Sequence, residues 1–191
     1  MDHFCNTSEH TASAFRLVII SGPLCSGKST LAELLRDRLG ATILYVRDVL
    51  RKYGASDDRE SLQTVGAELE ATTEGAWLAH VVCRETQGTP EKLTVVDSVR
   101  TLRQLRHLRA LSSPSALIYL TATPAALARR FKQRIGHGVI DSTSYAKATA
   151  HPTERGVSDV GQRADVMIDT TGVPRLRVFQ QVSRFIEQQS L

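Results

Sequence analysis

The stretch SGPLCSGKST, from Ser21 to Thr30, decides the fold of this chain. Its spacing from Gly22 to Ser29 fits GxxxxGK[ST], in which glycines let the backbone curl so that N–H groups point at phosphate oxygens. The stretch follows an apolar run, FRLVII, and opens a helical pattern with leucines on one face. The start of a helix adds a positive dipole end to such an anion site. The sequence therefore predicts a phosphate-binding loop between a strand and a helix.

Two side chains of this loop are expected to carry chemistry. Lys28 can reach the β- and γ-phosphates of a nucleoside triphosphate, and the hydroxyl of Ser29 can ligate Mg²⁺. The rest of the cradle consists of Gly22, Pro23, Leu24, Cys25, Ser26, Gly27 and Thr30. The alternative is a chance glycine turn before a capped helix, but the flanking strand and helix favour the phosphate loop. ATP and Mg²⁺ are the expected ligands.

Composition narrows the class of protein. The chain has 191 residues, of which 41% are hydrophobic and 23% charged, with a net charge of +4. This is the balance of a globular domain that tolerates polyanionic ligands. Its three cysteines form no CxxC pair, which disfavours a disulfide framework or a zinc site and favours a reducing, cytoplasmic location. No apolar run approaches the roughly 18 residues that span a membrane. We expect residues 1–13 to be a polar tail.

Alternating strand and helix patterns predict the fold class. Five β-type runs cover Arg16–Ile20, Thr42–Val46, Leu93–Asp97, Ala116–Leu120 and Asp165–Asp169. Helical patterns cover Leu31–Leu39, Asp48–Tyr53, Arg59–Glu85, Thr101–Ala110, Pro124–Arg134 and Pro174–Gln188. Such alternation is typical of a parallel sheet with helices on both faces. The sequence thus predicts an α/β, three-layer P-loop NTPase fold over residues 14–191, with a central parallel five-stranded sheet.

One segment lacks a clear period. Residues 136–163 contain glycine, serine, threonine and histidine with little apolar repetition. We interpret this segment as a mobile loop or lid. Arg155 and Arg163 lie within it, and either could close over the phosphates of bound substrates.

Three further stretches and a segment near the C-terminus resemble those of a known family. They are RDVLRK at residues 47–52, VVDSVR at 95–100 and ARRFKQR at 128–134, and the ending is ADVMIDTTG at 164–172. In this order and spacing the chain resembles the nucleoside monophosphate kinase group of P-loop kinases, which includes dephospho-CoA kinases. The resemblance runs from about Phe15 to the C-terminus.

The resemblance implies roles on the acceptor side. Asp48 and Arg51 match the GDxxR-type segment of the group, in which the arginine grips the acceptor's phosphate. Arg47 stands where a glycine is usual. Arg100 matches an arginine that touches the same phosphate. The helical segment at about 48–90 would bind the acceptor.

The resemblance also implies roles at the transferring phosphate. Asp97 would hold Mg²⁺ through water. Ser98 replaces a glycine of this element and the proline of adenylate kinases is absent, which disfavours adenylate kinase itself. Arg130 would stack on the donor base, and Arg134 would reach the transferring phosphate. Independently of the family, phosphoryl transfer needs charge neutralisation and alignment more than covalent chemistry, so converging cations are reasonable.

Simpler explanations exist for several of these residues. Asp97 could cap the following helix, and Arg51 could be a solvated helix residue. Arginines recur every third residue at 103, 106 and 109, which is typical of the solvent-exposed face of an amphipathic helix. We favour that interpretation over nucleic-acid binding.

The sequence predicts an ATP- and Mg²⁺-dependent kinase for a nucleotide-like acceptor, with a (deoxy)nucleoside monophosphate favoured. A dephospho-CoA acceptor is the close alternative. Two other classes stay open: a regulatory NTPase that hydrolyses ATP, and a P-loop protein that binds nucleotide without turnover. The base and sugar of the acceptor and the oligomeric state are not predicted.

Overall fold

A parallel sheet lies at the centre of the part of the chain that the computed structural model describes: residues 16–86, 92–112, 114–136, 145–150 and 152–189, with the backbone alone at 135, 136, 147 and 152–155. Its strands are β1 (Arg16–Ser21), β2 (Thr42–Tyr45), β3 (Leu93–Asp97), β4 (Ser115–Thr121) and β5 (Val166–Asp169). They lie side by side in the order β2-β3-β1-β4-β5, and every pair is parallel. The predicted five-stranded parallel sheet is confirmed.

Helices connect the strands and continue after the last one. They are α1 (Lys28–Leu39), α2 (Val46–Lys52), α3 (Arg59–Thr73), α4 (Trp77–Thr86), α5 (Leu102–Leu111), α6 (Pro124–Gly136), α7 (Tyr145–Thr149), α8 (Pro152–Gly161) and α9 (Arg175–Gln188). Parallel strands need a crossover connection between them, and helices provide it here. The carboxyl ends of all five strands therefore lie at the same edge of the sheet. The phosphate loop lies at that edge, between β1 and α1.

The two faces of the sheet bury separate apolar clusters. Side chains alternate along β1, so Leu17 and Ile19 face one way and Val18 and Ile20 the other, all with 0% exposure. The first pair packs with α2, α4, α5 and α8. Partly buried side chains of α3 pack against the outer side of this cluster. The second pair packs with α1 and α9. This arrangement confirms the three layers that the sequence predicts.

The long helix predicted at Arg59–Glu85 is two helices. Glu74 and Gly75 have φ angles of 51° and 85°, which end α3 in the left-handed region before α4 begins. A Cβ at Gly75 would lie 2.7 Å from the Cβ of Arg103, so glycine also lets α5 approach. The prediction of one helix is wrong because this break depends on packing against α5.

The segment at 136–163, which the sequence suggests is a mobile loop or lid, is largely helical where the structure describes it, and it contains α7 and α8. Its role as a lid stays a prediction. Within α8, Val157 and Val160 are buried, and Val160 belongs to the main core. Gly156 lies against the carbonyl of Arg100, where a Cβ would come within 2.7 Å, and Gly161 lies against the ring of Tyr119. Contacts made through glycines leave no apolar period in the sequence. Helix α8 is therefore part of the packed domain, and residues 137–144 lie outside the described residues.

Candidate functional site

The phosphate loop turns sharply between β1 and α1. Gly22 and Gly27 have φ angles of 141° and 101°, and α1 begins directly after Gly27. A Cβ on Gly22 would lie 2.2 Å from the carbonyl oxygen of Leu120, so the loop passes tightly over β4. The hydroxyl of Ser26 is buried without a hydrogen-bond partner among the described atoms. A polar group in that position fits a loop shaped for a polar ligand.

Lys28 folds back across the loop. Its Nζ donates to the carbonyl oxygens of Gly22 and Pro23, both at 2.8 Å. These contacts place the ammonium group over the cradle, next to the start of α1. Ser29 is exposed in the first turn of α1. Both side chains are therefore at the loop, as predicted.

Asp97 ends β3 beside the phosphate loop. It is paired in register with Ile20 of β1 and is 7% exposed. The chain after it is tied to β1, since Val99 N donates to Ile20 O (3.1 Å) and Ser21 Oγ donates to Val99 O (2.7 Å). Within the described residues no group of three or more His, Cys, Asp or Glu could hold a metal. Mg²⁺ commonly uses one or two carboxylates with waters and phosphates, so Asp97 and the Ser29 hydroxyl suit it.

Arg130 and Thr170 lock the outer wall of the loop. Arg130 donates through Nη1 to Cys25 O (3.2 Å) and Thr170 Oγ1 (2.9 Å), and through Nη2 to Thr170 O (2.6 Å). The Thr170 hydroxyl lies within hydrogen-bonding distance of Ser26 O (3.1 Å) and Thr121 O (2.9 Å). Sequence reasoning missed Thr170. It also gave Arg130 a stacking role, whereas here the guanidinium holds the loop backbone, and stacking stays a prediction.

A cavity of about 640 Å³ opens along the loop. Its walls come from the phosphate loop, α1, the end of α6 and the segment after β5, and Arg134 and Arg175 line it. Its volume is within the usual range for small-molecule sites, roughly 300–1,000 Å³. The cavity thus places Arg134 near the phosphate loop, as predicted, and adds Arg175, which the sequence did not indicate.

Cationic side chains surround Cys25 in the loop. Burial raises the pKa of the Cys25 thiol, while the charges of Arg134, Lys28, Arg130 and Arg59 act against burial and lower it. Three of these four residues were predicted site residues. Arg59 was not, because it is far along the chain and begins a different helix. The grouping concentrates positive charge where a triphosphate would lie.

The acceptor residues Asp48 and Arg51 lie on α2, which follows β2. Arg51 Nη1 donates to Asp48 Oδ1 (2.5 Å), and its Nε pairs with Asp57. The Asp57 side chain is 81% exposed and that of Arg51 38%. The register of Tyr45 with Asp97 places α2 at the carboxyl edge of the sheet. Arg51 is therefore near the site, but two carboxylates hold its guanidinium.

The loop that carries Arg100 is fixed by a polar network. Arg100 N donates to Gln104 Oε1 (3.1 Å), and Gln104 Nε2 donates to Glu70 Oε2 (2.9 Å). Thr101 Oγ1 donates to Glu70 Oε1 (2.6 Å), and Thr101 also caps α5. Glu70 thus braces the segment after Asp97 from α3, a role that the sequence gave no sign of.

Arg163 is not at the site. It precedes β5, and its carbonyl accepts from Arg109 Nη2 (3.0 Å). Arg109 lies near the end of α5, shortly before β4 begins, so Arg163 is at the amino edge of the sheet. A strand rises about 3.3 Å per residue, so β5 keeps this side chain away from the phosphate loop. The prediction that Arg163 closes on the phosphates is wrong. The side chain of Arg155 lies outside the described residues, and its role stays a prediction.

Comparison with known proteins identifies the family. The sequence profile of the family described as "AAA domain" matches residues 18–147, more than half of the chain. The chain belongs to the AAA domain family. Its matched region begins in β1, includes the phosphate loop and ends in α7.

Curated relatives are similar at lower identity. A "UPF0200 protein" of Saccharolobus islandicus (strain L.S.2.15) is 28% identical over 122 residues, which is 63% of this chain and 63% of the relative. A "UPF0200 protein" of Saccharolobus solfataricus matches to the same extent. The aligned region thus spans about 63% of the length of these relatives.

Solved structures share the fold. The shikimate kinase of Aquifex aeolicus superposes with a TM-score of 0.60 at 15% identity, over 93% of this chain and 99% of that one. A gluconokinase of Sinorhizobium meliloti gives a TM-score of 0.53 at 19% identity, over 94% and 97%. These likenesses establish a P-loop kinase-like fold. Within the described ranges, no helix has the length and apolar character needed to cross a membrane.

Proposed function

We propose that this chain is a phosphotransferase that moves the γ-phosphate of ATP, with Mg²⁺, to a (deoxy)nucleoside monophosphate. The observation that carries the proposal is the gathering of Lys28, Arg130 and Arg134 around the phosphate loop. Charge neutralisation from several sides is what phosphoryl transfer needs most. The cavity along the loop has room for a nucleotide, and the kinase-like fold agrees with this chemistry.

The donor residues act chiefly by position. Backbone N–H groups of the loop and the start of α1 hold phosphate oxygens, as helix N-termini do. Lys28 turns its ammonium group from the carbonyls of Gly22 and Pro23 to the transferring phosphate, whose charge it balances. Arg130 keeps the loop in shape through Cys25 and Thr170. Arg134, on the cavity wall, reaches the same phosphate.

Ser29 and Asp97 would hold Mg²⁺, which when bound neutralises charge on the β- and γ-phosphate oxygens. Asp97 suits this role because its carboxylate is fixed at the end of a central strand, next to β1. Arg51 and Arg100 would orient the acceptor on the opposite side. The acceptor's oxygen would then lie in line with the bond that breaks.

An acceptor screen tests the proposal. The measurement is ADP release from ATP with and without nucleoside and deoxynucleoside monophosphates, dephospho-CoA, shikimate or gluconate, and Lys28→Ala protein controls for contaminating kinases. We expect release that depends on a monophosphate and forms the diphosphate. Release at the same rate without any acceptor would support a hydrolysing NTPase instead. ATP binding without any release would support a protein that binds nucleotide without turnover.

A hydroxyl acceptor without phosphate is a second candidate, favoured by the ion pairs of Arg51. Asp48 and Asp57 both pair with its guanidinium, so two carboxylates lie on the acceptor side beside Arg51. A carboxylate at this place could accept the proton of an acceptor hydroxyl. The proteins of similar fold named shikimate kinase and gluconokinase agree with this option.

The variant Asp57→Asn separates the two candidates. An exposed ion pair is worth about 0.2–1 kcal/mol, so freeing Arg51 should lower the KM of a monophosphate acceptor by up to about fivefold. The KM of a hydroxyl acceptor without phosphate should not fall. Asp37→Asn, which removes an exposed carboxylate from α1, is the control.

A further inference from the structure

Arg59 occupies an unfavourable place in its own helix. It is the first residue of α3, directly after Asp58, whose Oδ1 accepts from Ser61 N (2.8 Å) as the N-cap. The start of a helix carries partial positive charge, so acidic residues are favoured there and a cation is not. A residue that breaks a local rule calls for a compensating interaction elsewhere.

That interaction is with the end of α7. Arg59 Nη2 donates to the carbonyl oxygen of Ala148 at 2.7 Å, across 89 positions of sequence. The last carbonyls of a helix have no partner within it, and basic side chains bind them favourably. Two earlier carbonyls of α7 are satisfied locally, since Thr149 Oγ1 donates to Tyr145 O (3.0 Å) and Ala150 N to Ala146 O (3.1 Å). Arg59 thus satisfies the Ala148 carbonyl at the carboxyl end of α7.

Helix α7 in turn lies against the phosphate loop. Ala148 is buried in a small apolar cluster with Cys25, Leu127 and Phe131. The ring of Tyr145 meets the ring of Phe131 edge-on, with centroids 5.4 Å apart and planes at 64°. Arg59 is also close enough to the Cys25 sulfur to affect its pKa. The guanidinium therefore lies where α3, α7 and the phosphate loop meet.

We propose that Arg59 is a positioning residue that fastens α7 to α3 over the phosphate loop and thereby limits transfer of phosphate to water. The second half of this statement rests on the proposed function; the first half does not. Because α3 belongs to the acceptor side, the fastening joins the two substrate sites through one side chain.

The chemical consequence concerns which oxygen attacks. In transfer to a monophosphate, an oxygen of the acceptor's phosphate forms a bond to the γ-phosphorus, and the bond to the β-phosphate oxygen of ADP breaks. A hydroxyl acceptor would in addition give up one proton. In hydrolysis a water oxygen takes the acceptor's place, and the products are ADP, inorganic phosphate and the proton. An enclosed site excludes water as a competitor. Loosening α7 should therefore raise hydrolysis relative to transfer.

Hydrogen exchange tests the fastening without any substrate. The full chain and its Arg59→Gln variant are compared by mass spectrometry over peptides covering residues 145–150. The Arg59 hydrogen bond involves a charged group, and its loss should speed amide exchange at 145–150 by about tenfold or more. Amides of β1 and β3 should stay protected. Glu60→Gln, which changes the charge of the next residue in the same turn, is the matched control and should match the wild type. Unchanged exchange in Arg59→Gln would overturn the proposal.

Kinetics then tests the role in water exclusion. Arg59→Gln should raise the ratio of acceptor-independent ADP release to transfer by about tenfold, and Arg59→Lys should restore part of the difference because an ammonium group can still donate to the Ala148 carbonyl. A fall in transfer with no change in that ratio would mean that Arg59 contacts substrate and is not a positioning residue. If wild-type protein shows no transfer at all, the proposed function fails, whereas the exchange result stands by itself.

Discussion

The two sides of the candidate site are built differently. On the donor side, the loop at 22–30 is held by buried and half-buried hydrogen bonds, several of them to backbone carbonyls, through Arg130 and Thr170. On the acceptor side, Arg51 is held by side chains that are largely exposed. A buried hydrogen bond is costly to leave unmade, whereas an exposed ion pair contributes little. The donor side is therefore fixed before any ligand arrives, and the acceptor side can rearrange at small cost.

Under the proposed function, this difference indicates where acceptor specificity would be set. A fixed cradle suits a triphosphate that is common to many kinases of this fold, and its residues follow one sequence motif. An acceptor side made of exposed ion pairs can suit different acceptors with few substitutions.

The largest effect should come from removing the charge at the donor side. Lys28→Ala should lower kcat by about 10²–10³-fold, by analogy with the loss of one preorganised electrostatic donor. The fold should persist, since the side chain is only half-buried at the start of α1 and packs against no core cluster. Steady-state ADP release and a thermal melt measure the two quantities. Lys52→Ala, at an exposed ion pair on α2, is the control, and turnover near the wild-type value in Lys28→Ala would remove the loop from the mechanism.

How much of the fold and the site could be predicted from the sequence depends on how far apart along the chain the contacting residues lie. The strands and the loop are local patterns, and the structure confirms them. Arg59 and Thr170 were not predictable, because their partners lie 89 and up to 144 positions away and no motif joins them. The break at Gly75 and the helix at α8 depend on glycines that admit a neighbouring element, and such contacts leave no hydrophobic period.

The next effect should fall on the acceptor alone. Arg51→Ala should lower kcat/KM for a monophosphate acceptor by about 10- to 100-fold, since a hydrogen bond to a charged group is worth about 1.5–3 kcal/mol. ATP affinity should stay nearly unchanged, because the guanidinium is bound to Asp48 and Asp57 and does not contact the donor loop. Arg47→Ala, an exposed arginine on the same helix, is the control. An equal loss of ATP binding would erase the distinction between the two sides.

A smaller effect should follow from a single hydroxyl on the donor side. Thr170→Val keeps the shape of the side chain but removes the group that lies between Arg130, Ser26 and Thr121. We expect a loss of about 1–3 kcal/mol in the free energy of unfolding, with ATP affinity weakened roughly tenfold through the displaced loop. Denaturant unfolding and calorimetric titration measure these. Thr72→Val, which removes a local hydrogen bond from exposed α3, should change unfolding by less than about 0.5 kcal/mol. Equal losses in both variants would mean that the donor side is no more rigid than the surface.

The smallest effect concerns Cys25, which reports how closed the donor side is. Burial raises the pKa of its thiol, so the proton is kept to higher pH than usual, and the reactive thiolate stays scarce at about pH 8. Iodoacetamide should therefore label Cys25 more slowly than Cys83, the half-buried thiol of α4, with both followed by mass spectrometry in the same sample.

Two variations sharpen this test. Arg134→Gln removes the cation that lowers the pKa of Cys25 most, so the pKa should rise further and labelling should slow by a few-fold. The stability that the protonated thiol carries is present below the ordinary thiol pKa and is lost as pH rises through the raised folded value. Cys25→Ala should therefore weaken the fall of Tm at alkaline pH. Labelling of Cys25 as fast as Cys83 at neutral pH would show that the loop opens readily, and the donor side would then be as adaptable as the acceptor side.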